Sequence, residues 1–312
     1  MKLLFPLFVL FLGHGAHAEY PDKIIRLIVP FPAGAGLDTS ARVFAELLRP
    51  ALGQQVIVEN RPGAAGDIAA DAVAKSSADG YTLLYGTTAM ITITPYLRKT
   101  PYDPAVDLVP VSRVATLDTV VAVNKDFPAS TWAEFVDIAK RNPGKYTYAS
   151  SGDGTFLHLA GEHLQAVTGM KLLHVPYKGM AQAITDFLSG QINVVLEPAV
   201  IQHVRAGRGK ALAVFSDIRL PELPGVPTIK ELGVPFELKA WFGIFAPRGT
   251  PREVVGKLVG AIAQISERPE FRDKLPTAVF SAYMPPEIFA KSIDDERAVY
   301  RGIIKRLNLR LE

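Results

Sequence analysis

Two stretches of small and hydroxylated residues give this sequence its clearest chemistry. The first follows an apolar run that ends at Val29, and it leads into a pattern typical of a helix. Its small side chains leave backbone N–H groups accessible, and a helix N-terminus favours negative charge, so the pattern indicates an anion site. The candidate ligand-binding residues of this first loop are Phe31, Ala33, Gly34, Ala35, Gly36, Asp38 and Thr39.

The first loop allows other interpretations. Asp38 either caps the helix or binds a cationic group of a ligand, and the whole stretch also suits an ordinary tight turn between a strand and a helix. A dinucleotide-binding loop is disfavoured, because Gly34-Ala35-Gly36 lacks the third glycine at the required spacing.

The second stretch, which we call the second loop, also joins a predicted strand to a predicted helix. Its hydroxyls and free amides suit the same anion chemistry. A serine nucleophile is the enzymatic alternative, but it needs a sharp elbow and a base; Gly-x-Ser-x-Gly is absent and no plausible base lies nearby. His158 is expected to pack or bond locally, so we predict no catalytic residue and no enzyme. The candidate ligand-binding residues here are Ser150, Ser151, Gly152, Gly154, Thr155 and His158.

Four further side chains end predicted strands on the same side as these loops. Thr87 offers a hydroxyl, and Tyr177 and Lys178 offer a phenol and an ammonium that can close on an acid, although a solvated loop is the plain alternative. Glu197 contacts the other lobe, binds a ligand amine, or caps the turn before Pro198.

Composition excludes several classes of protein. There is no cysteine, so disulfides, zinc–thiolate sites and thiol nucleophiles are excluded. The histidines show no metal-ligand spacing, and we predict neither a metal nor a cofactor. The net charge is +3 without a basic tract, so nucleic-acid binding has no support.

Strand and helix patterns alternate along the chain, which predicts an α/β fold with covered sheets. Long apolar strands near Thr119–Asn124 and Lys239–Phe245 are interpreted as two crossings between lobes. Lobe 1 is predicted to hold residues 19–122 plus 243–312, and lobe 2 residues 123–242. Two capping boxes are predicted, Thr131 with Glu134 and Thr250 with Glu253.

The N-terminus predicts export. Lys2 precedes an apolar run over Leu3–Leu12, and Ala16-His17-Ala18 has the small residues of a cleavage site. The run is too short to span a bilayer. We therefore predict a signal peptide over residues 1–18, cleaved after about Ala18, and a periplasmic mature protein without a lipid anchor; an N-terminal anchor or a buried strand is the alternative.

An ordered set of motifs covers nearly the whole chain after the predicted signal, and only the set as a whole is specific. In chain order the motifs are Tyr20-Pro21-Asp22-Lys23 with Val29-Pro30-Phe31-Pro32-Ala33-Gly34, Val58-Glu59-Asn60-Arg61-Pro62-Gly63-Ala64, Asp79-Gly80-Tyr81-Thr82-Leu83, Tyr148-Ala149-Ser150-Ser151-Gly152, His158-Leu159-Ala160-Gly161-Glu162, Val175-Pro176-Tyr177-Lys178-Gly179 and Trp241-Phe242-Gly243-Ile244-Phe245-Ala246-Pro247. With these motifs the sequence resembles the Bug (TctC-type) family of tripartite tricarboxylate transporter receptors.

The resemblance implies a two-lobed periplasmic-binding-protein fold of type II with two crossing strands. It implies capture of a small organic carboxylate (a di- or tricarboxylate, an amino acid or an aromatic acid) by the loops at 31–36 and 150–155, partly through ordered waters. Membrane subunits of a tripartite transporter are the implied partners, and a membrane sensor is the alternative. We expect a monomer.

Two departures lie in these loops. Leu37 stands where the family usually has threonine, and Gly154-Thr155 stands where it often has Gly-Ser before the His-Leu-Ala stretch. The identity of the acid therefore does not follow from the resemblance, and Leu37 favours a less polar or aromatic acid. A serine hydrolase using Ser150 or Ser151 remains the enzymatic alternative.

Overall fold

The computed structural model describes residues 19–236 and 238–311. The predicted signal peptide lies outside the described residues. The eleven strands in this part of the chain are β1 (Ile25–Val29), β2 (Val56–Asn60), β3 (Thr82–Thr87), β4 (Leu108–Leu117), β5 (Thr119–Asn124), β6 (Thr147–Ser150), β7 (Leu173–Pro176), β8 (Val194–Leu196), β9 (Gly209–Phe215), β10 (Ala240–Pro247) and β11 (Val279–Met284).

Ten α-helices cover these strands, and short turns of other helix types occur at Ala64–Gly66, Ala89–Ile93 and Pro198–Val200. The helices are α1 (Gly36–Leu52), α2 (Asp67–Ala74), α3 (Thr94–Leu97), α4 (Trp132–Arg141), α5 (Phe156–Thr168), α6 (Met180–Ser189), α7 (Ile201–Arg205), α8 (Arg252–Ser266), α9 (Pro269–Lys274) and α10 (Pro286–Leu307). Among the described residues no helix is long and apolar enough to cross a membrane.

The first sheet has six strands in the order β11-β4-β10-β3-β1-β2. β1 runs parallel to β2 and β3, whereas β10 is antiparallel to both of its neighbours. Successive side chains of β1 face opposite sides, as a pleated strand requires. Leu27 and Val29 pack with α1 through Phe44, and Ile28 packs with α2 through Val73. This sheet is therefore covered on both faces.

The second sheet has five strands in the order β7-β6-β8-β5-β9. β6 is parallel to β7 and β8, and β5 is antiparallel to β8 and β9. The same alternation appears in β5, because Val121 packs towards Phe135 of α4 and Val120 towards Phe187 of α6. The two sheets form the two lobes that the sequence predicts.

Within residues 19–236 and 238–311, three segments connect the lobes. Asp118 alone separates β4 in the first sheet from β5 in the second, and the chain returns between Phe215 and Ala240. α10 is the third connection: its Phe289 packs in the core of the first sheet and its Tyr300 in that of the second. The lobe limits predicted at residues 122 and 242 lie inside β5 and β10, a short way after these changes of sheet, and they remain a prediction.

One predicted capping box is confirmed and the other is wrong. Thr131 accepts a hydrogen bond from the Glu134 N–H, and the Glu134 carboxylate accepts one from the Thr131 N–H. At α8, Pro251 occupies the cap position and no side chain caps the helix. The Thr250 hydroxyl instead donates to the carbonyl of Pro247, the last residue of β10, at 2.8 Å, and therefore does not cap α8.

Candidate ligand-binding cleft between the lobes

A cleft of about 840 Å³ lies where the carboxyl ends of the parallel strands of both sheets meet. The first lobe contributes the loops after β1 and β3, and the second contributes those after β6, β7 and β8. Ligand sites of open α/β sheets occupy this position, because helix N-termini and their free amides follow those strand ends. The start of β10 and the segment before β11 complete the wall.

The first loop is shaped by a buried carboxylate. Asp38 is 2% exposed, and its two oxygens accept hydrogen bonds from the Gly34 N–H at 2.8 Å, the Asn60 amide at 2.8 Å and the Arg42 guanidinium at 2.9 Å. Asn60 also donates to the Phe31 carbonyl at 2.9 Å. Burial opposes the charge, but these donors hold the pKa of Asp38 below its ordinary value.

The cap role considered for Asp38 is wrong, and a ligand amine has no access to it. α1 begins at Gly36 with Ala35 as its cap residue and no capping side chain. Asp38 therefore lies inside the first turn, where it folds back onto Gly34. The first amides of α1 have no side-chain partner and border the cleft. The exposed Thr39 hydroxyl bonds the Ala35 carbonyl and does not line the cleft.

The second loop presents α5 in the same way. Thr155 is the cap residue, but its hydroxyl donates to the Gly152 carbonyl at 2.7 Å and leaves the helix amides free. Gly152 has φ +124°, which a side chain rarely adopts, and an added Cβ would lie 3.3 Å from the Tyr177 carbonyl oxygen. Ser151 and Thr155 line the cleft, whereas Gly152 and Gly154 shape the loop behind it.

A buried polar network lies beneath the second loop. Ser150 is fully buried, and its hydroxyl lies 2.7 Å from Nε2 of His174 and 3.1 Å from the Gly152 N–H. The His174 ring stacks on His158 with 4.3 Å between centroids, and His158 accepts from the Gly154 N–H. Burial lowers the pKa of His158, and burial together with His158 lowers the pKa of His174 to about 4.

The expectation that no base lies near Ser150 is therefore wrong, because pairing of β6 with β7 brings His174 to it. Asp153 lies 3.6 Å from the other ring nitrogen. These three side chains have the composition of a catalytic triad. Ser150, however, is buried and outside the cleft lining, and a base with a pKa near 4 is poorly matched to neutral pH.

Asp153, His158 and His174 lie together, and each places one atom that could bind a metal within 4.8 Å of such atoms of the other two. Their spacing in the sequence did not predict this cluster. The two imidazole rings are only 11° from parallel, so their in-plane lone pairs do not converge on one point. His158 Nδ1 already accepts from Gly154, and His174 Nε2 bonds Ser150. Through these bonds to Gly154 and Ser150, the cluster of Asp153, His158 and His174 is suited to stabilising the conformation of the second loop.

A third helix N-terminus reaches the cleft. α6 starts after Gly179, has no capping side chain, and borders the cleft together with Lys178 and Gln182. Tyr177, which the sequence grouped with Lys178, is outside the lining. Its hydroxyl donates to Asp186 at 2.7 Å, and burial followed by that bond raises the pKa of Tyr177 to about 12.

Two polar side chains complete the cleft. Thr87 is 8% exposed, lines the cleft and has no hydrogen-bond partner for its hydroxyl among the described residues. Such a buried, unpaired hydroxyl is suited to a ligand. Glu197 is half-buried, also lines the cleft, and accepts from the Ala199 N–H at 3.2 Å. Burial raises the pKa of Glu197 to about 7.

The cleft brings together part of the predicted set. The predicted residues that line it are Phe31, Ala33, Gly34, Ala35, Gly36, Thr87, Ser151, Thr155, Lys178 and Glu197. Those that lie behind or beside it are Asp38, Thr39, Ser150, Gly152, Gly154, His158 and Tyr177.

Sequence reasoning missed most of the apolar wall. Leu117, Trp241, Phe242, Pro276 and Val279 line the cleft from segments far apart in the chain. Trp241 is oriented by a 2.6 Å bond from its ring N–H to the Glu296 carboxylate. Leu117 and Val279 lie in apolar runs that indicate only burial, and the motif containing Trp241 and Phe242 supported only the resemblance, so none of these residues was predicted to line the cleft.

Comparison with known proteins agrees with this geometry. A family model described as the tripartite tricarboxylate transporter family receptor matches residues 40–309. Protein BugT of Bordetella pertussis is 39% identical over 244 residues, which are 76% of this chain and 74% of BugT. A protein encoded in the tcbD-tcbE intergenic region of Pseudomonas sp. strain P51 is 37% identical over 93% of this chain and 88% of its own length.

Solved structures show the same fold. The periplasmic binding protein BugD is 33% identical, with a TM-score of 0.86, over 94% of this chain and 100% of BugD. An R. palustris protein solved with adipate is 34% identical, with a TM-score of 0.87, over 94% and 99% of the two chains. MatC of Rhodopseudomonas palustris, solved with malate, is 28% identical, with a TM-score of 0.83, over 91% and 100%.

The predicted type II fold is thereby confirmed, and so is the resemblance drawn from the ordered motifs. The relatives are substrate-binding proteins rather than enzymes. This chain belongs to the TctC/Bug family of tripartite tricarboxylate transporter receptors and is a periplasmic solute-binding protein.

Proposed function

We propose that this protein captures a small organic carboxylate in the cleft between its lobes and delivers it to membrane subunits of a tripartite tricarboxylate transporter. One observation carries the proposal: the uncapped N-termini of α1, α5 and α6 border a single cleft, together with the ammonium of Lys178. The relatives solved with adipate and malate support it, since both of those ligands are carboxylates.

The physical argument rests on unsatisfied donors. Each helix N-terminus leaves N–H groups without intrahelical partners and carries partial positive charge, which favours an anion. Charge-assisted hydrogen bonds from N–H groups to a carboxylate are stronger than neutral ones. Thr87 adds a buried hydroxyl that has no partner among the residues that the structure describes. A carboxylate accepts from several of these donors, directly or through ordered water.

Closure of the two lobes on the ligand is part of the proposal. Donors from α1 and Thr87 belong to the first lobe, and donors from α5, α6 and Lys178 belong to the second. An acid that bonds both sets favours the closed arrangement over the open one, because only the closed arrangement makes all of the contacts.

Calorimetry on mature protein stripped of ligand by unfolding and refolding tests the proposal. The panel contains malate, citrate, adipate, hexanoate and benzoate, and we expect saturable binding of at least one acid. Lys178→Ala should weaken that binding about tenfold, as expected for loss of one charge-assisted contact. Lys171→Ala removes an exposed lysine outside the cleft and serves as the matched control. If no acid binds the stripped protein, the proposed function is wrong.

A further inference from the structure

The walls of the cleft differ sharply from the loops that would hold a carboxylate. Away from the helix amides, large apolar side chains dominate the lining, namely Phe31, Leu37, Leu117, Phe156, Met180 and Phe242. They come from both lobes, and Leu117 at the end of β4 and Phe242 near the start of β10 lie next to the connections between the lobes. A ligand held by the amides therefore extends its body mainly against hydrocarbon, with Gln182, Gln202 and Thr277 as the uncharged polar side chains farther along the lining.

Charge in the lining is equally restricted. Among the described residues that line the cleft, Lys178 is the one cation and Glu197 the one acid. A ligand with a second carboxylate finds no second cationic side chain to pair with. An unpaired carboxylate moved from water to an apolar wall loses its hydration, so the apolar walls oppose a second carboxylate that lies beyond the helix amides.

Leu37 places an apolar side chain directly beside the first amides of α1. It is the second residue of α1 and is 7% exposed, and its side chain packs in the cluster that contains Val29 and Phe44. It also lines the cleft. Packing on two sides fixes its position, so an acid bound at the N-terminus of α1 contacts a rigid apolar surface rather than a hydroxyl or water.

We propose, on the basis of the carboxylate-binding function above, that the preferred ligand is a monocarboxylate with a hydrocarbon body, aliphatic or aromatic, and that Leu37 is a residue that discriminates against dicarboxylates. The single carboxylate lies on the helix amides and Lys178. The body fills the apolar part of the cleft, where removal of its hydrocarbon surface from water stabilises the complex.

Matched ligand pairs test the inference by calorimetry on stripped, mature protein. Hexanoate and adipate differ by a methyl in place of a carboxylate, and 4-methylbenzoate and terephthalate differ in the same way. We expect each monoacid to bind about tenfold more tightly than its diacid partner, or better. Leu37→Thr should shrink that ratio about threefold or more. Leu47→Thr alters a buried leucine of the same helix that does not line the cleft, and it should leave the ratio unchanged.

The outcomes separate the inference from the function on which it rests. If adipate or terephthalate binds as tightly as its monoacid partner, the inference is overturned while carboxylate capture stands. If neither monoacids nor diacids bind, both the inference and the proposed function fail. If Leu37→Thr does not fold, the ratios measured on the unaltered protein still decide whether monoacids are preferred.

Discussion

The first and second loops that meet at the cleft present helix amides in the same way but are held by opposite kinds of interaction. In the first loop a buried, ionised carboxylate, Asp38, gathers donors from Gly34, Asn60 and Arg42. The second loop is held by a network of neutral side chains, in which Ser150 is bonded to His174 and the His174 ring is stacked on His158.

The difference follows from what surrounds each loop. Arg42 is half exposed, so the Asp38 pair keeps contact with water while the carboxylate itself is buried. The imidazoles lie inside the second lobe, where burial disfavours their charged forms and lowers both pKa values. One loop is therefore stabilised by charge, and the other depends on the absence of charge. Substituting the residue that anchors one loop, or changing the pH, should therefore affect the stability of the two loops differently.

The largest effect is expected from Asp38→Ala. It leaves the Gly34 N–H and the Asn60 amide without their acceptor, and breaking a buried charged network costs about 3–5 kcal/mol. Urea unfolding should show this loss, and carboxylate binding should fall with it. Thr39→Ala, one residue along and exposed, should change the free energy of unfolding by less than about 0.5 kcal/mol. Equal effects of the two substitutions would contradict the role of Asp38.

Acid should weaken the second loop before the first. In the unfolded chain His174 titrates near 6.5, and in the folded protein near 4. The unfolded state therefore takes up protons first as the pH falls. The stability contributed by neutral His174 is complete above about pH 6.5 and is lost progressively towards pH 4, amounting to about 3 kcal/mol. Asp38, whose pKa is lowered from 3.8, stays charged through that range.

Urea unfolding at several pH values between 7 and 4.5 measures this difference. His174→Gln cannot titrate, so its free energy of unfolding should fall less steeply with acid than that of the unaltered protein. Identical slopes for the two proteins would show that His174 does not set the acid sensitivity.

His174→Ala should have a smaller effect at neutral pH. It removes the hydrogen bond to Ser150 and a ring that stacks on both His158 and Tyr148, which together contribute about 2 kcal/mol. Because the Ser150–Thr155 segment then loses an anchor, carboxylate affinity should fall about tenfold by calorimetry. His203→Ala, a half-buried histidine outside the cleft, is the matched control and should leave the affinity unchanged.

The smallest effects on stability are expected when a single glycine in either loop is replaced by alanine. Gly34 has φ +85° and open space around an added Cβ, so Gly34→Ala should cost about 1 kcal/mol through backbone strain alone. Gly152→Ala should cost more, since its φ is +124° and the Tyr177 carbonyl lies 3.3 Å from the new atom. A thermal-shift comparison of the two variants measures which substitution lowers the melting temperature more. A larger decrease for Gly34→Ala would contradict this prediction.

Local patterns were enough to predict much of this molecule. The alternation of strands and helices, the capping box of Thr131 with Glu134, and the small-residue loops before α1 and α5 all follow from chain segments shorter than about 20 residues. Such segments encode their own periodicity, caps and turns. Helix boundaries still shifted, because Asp38 turned back to Gly34 instead of capping α1.

Only the tertiary structure decided which side chains meet. His174 reaches Ser150 because β7 pairs with β6, and the N-terminus of α6 joins those of α1 and α5 because two sheets face one cleft. Part of the apolar wall comes from the end of β4, the start of β10 and the segment that leads into β11. The sequence determined that anion-binding helix termini exist, since these are local. Packing of residues distant in the chain decided how they converge and what surrounds them, since no local pattern records a long-range contact.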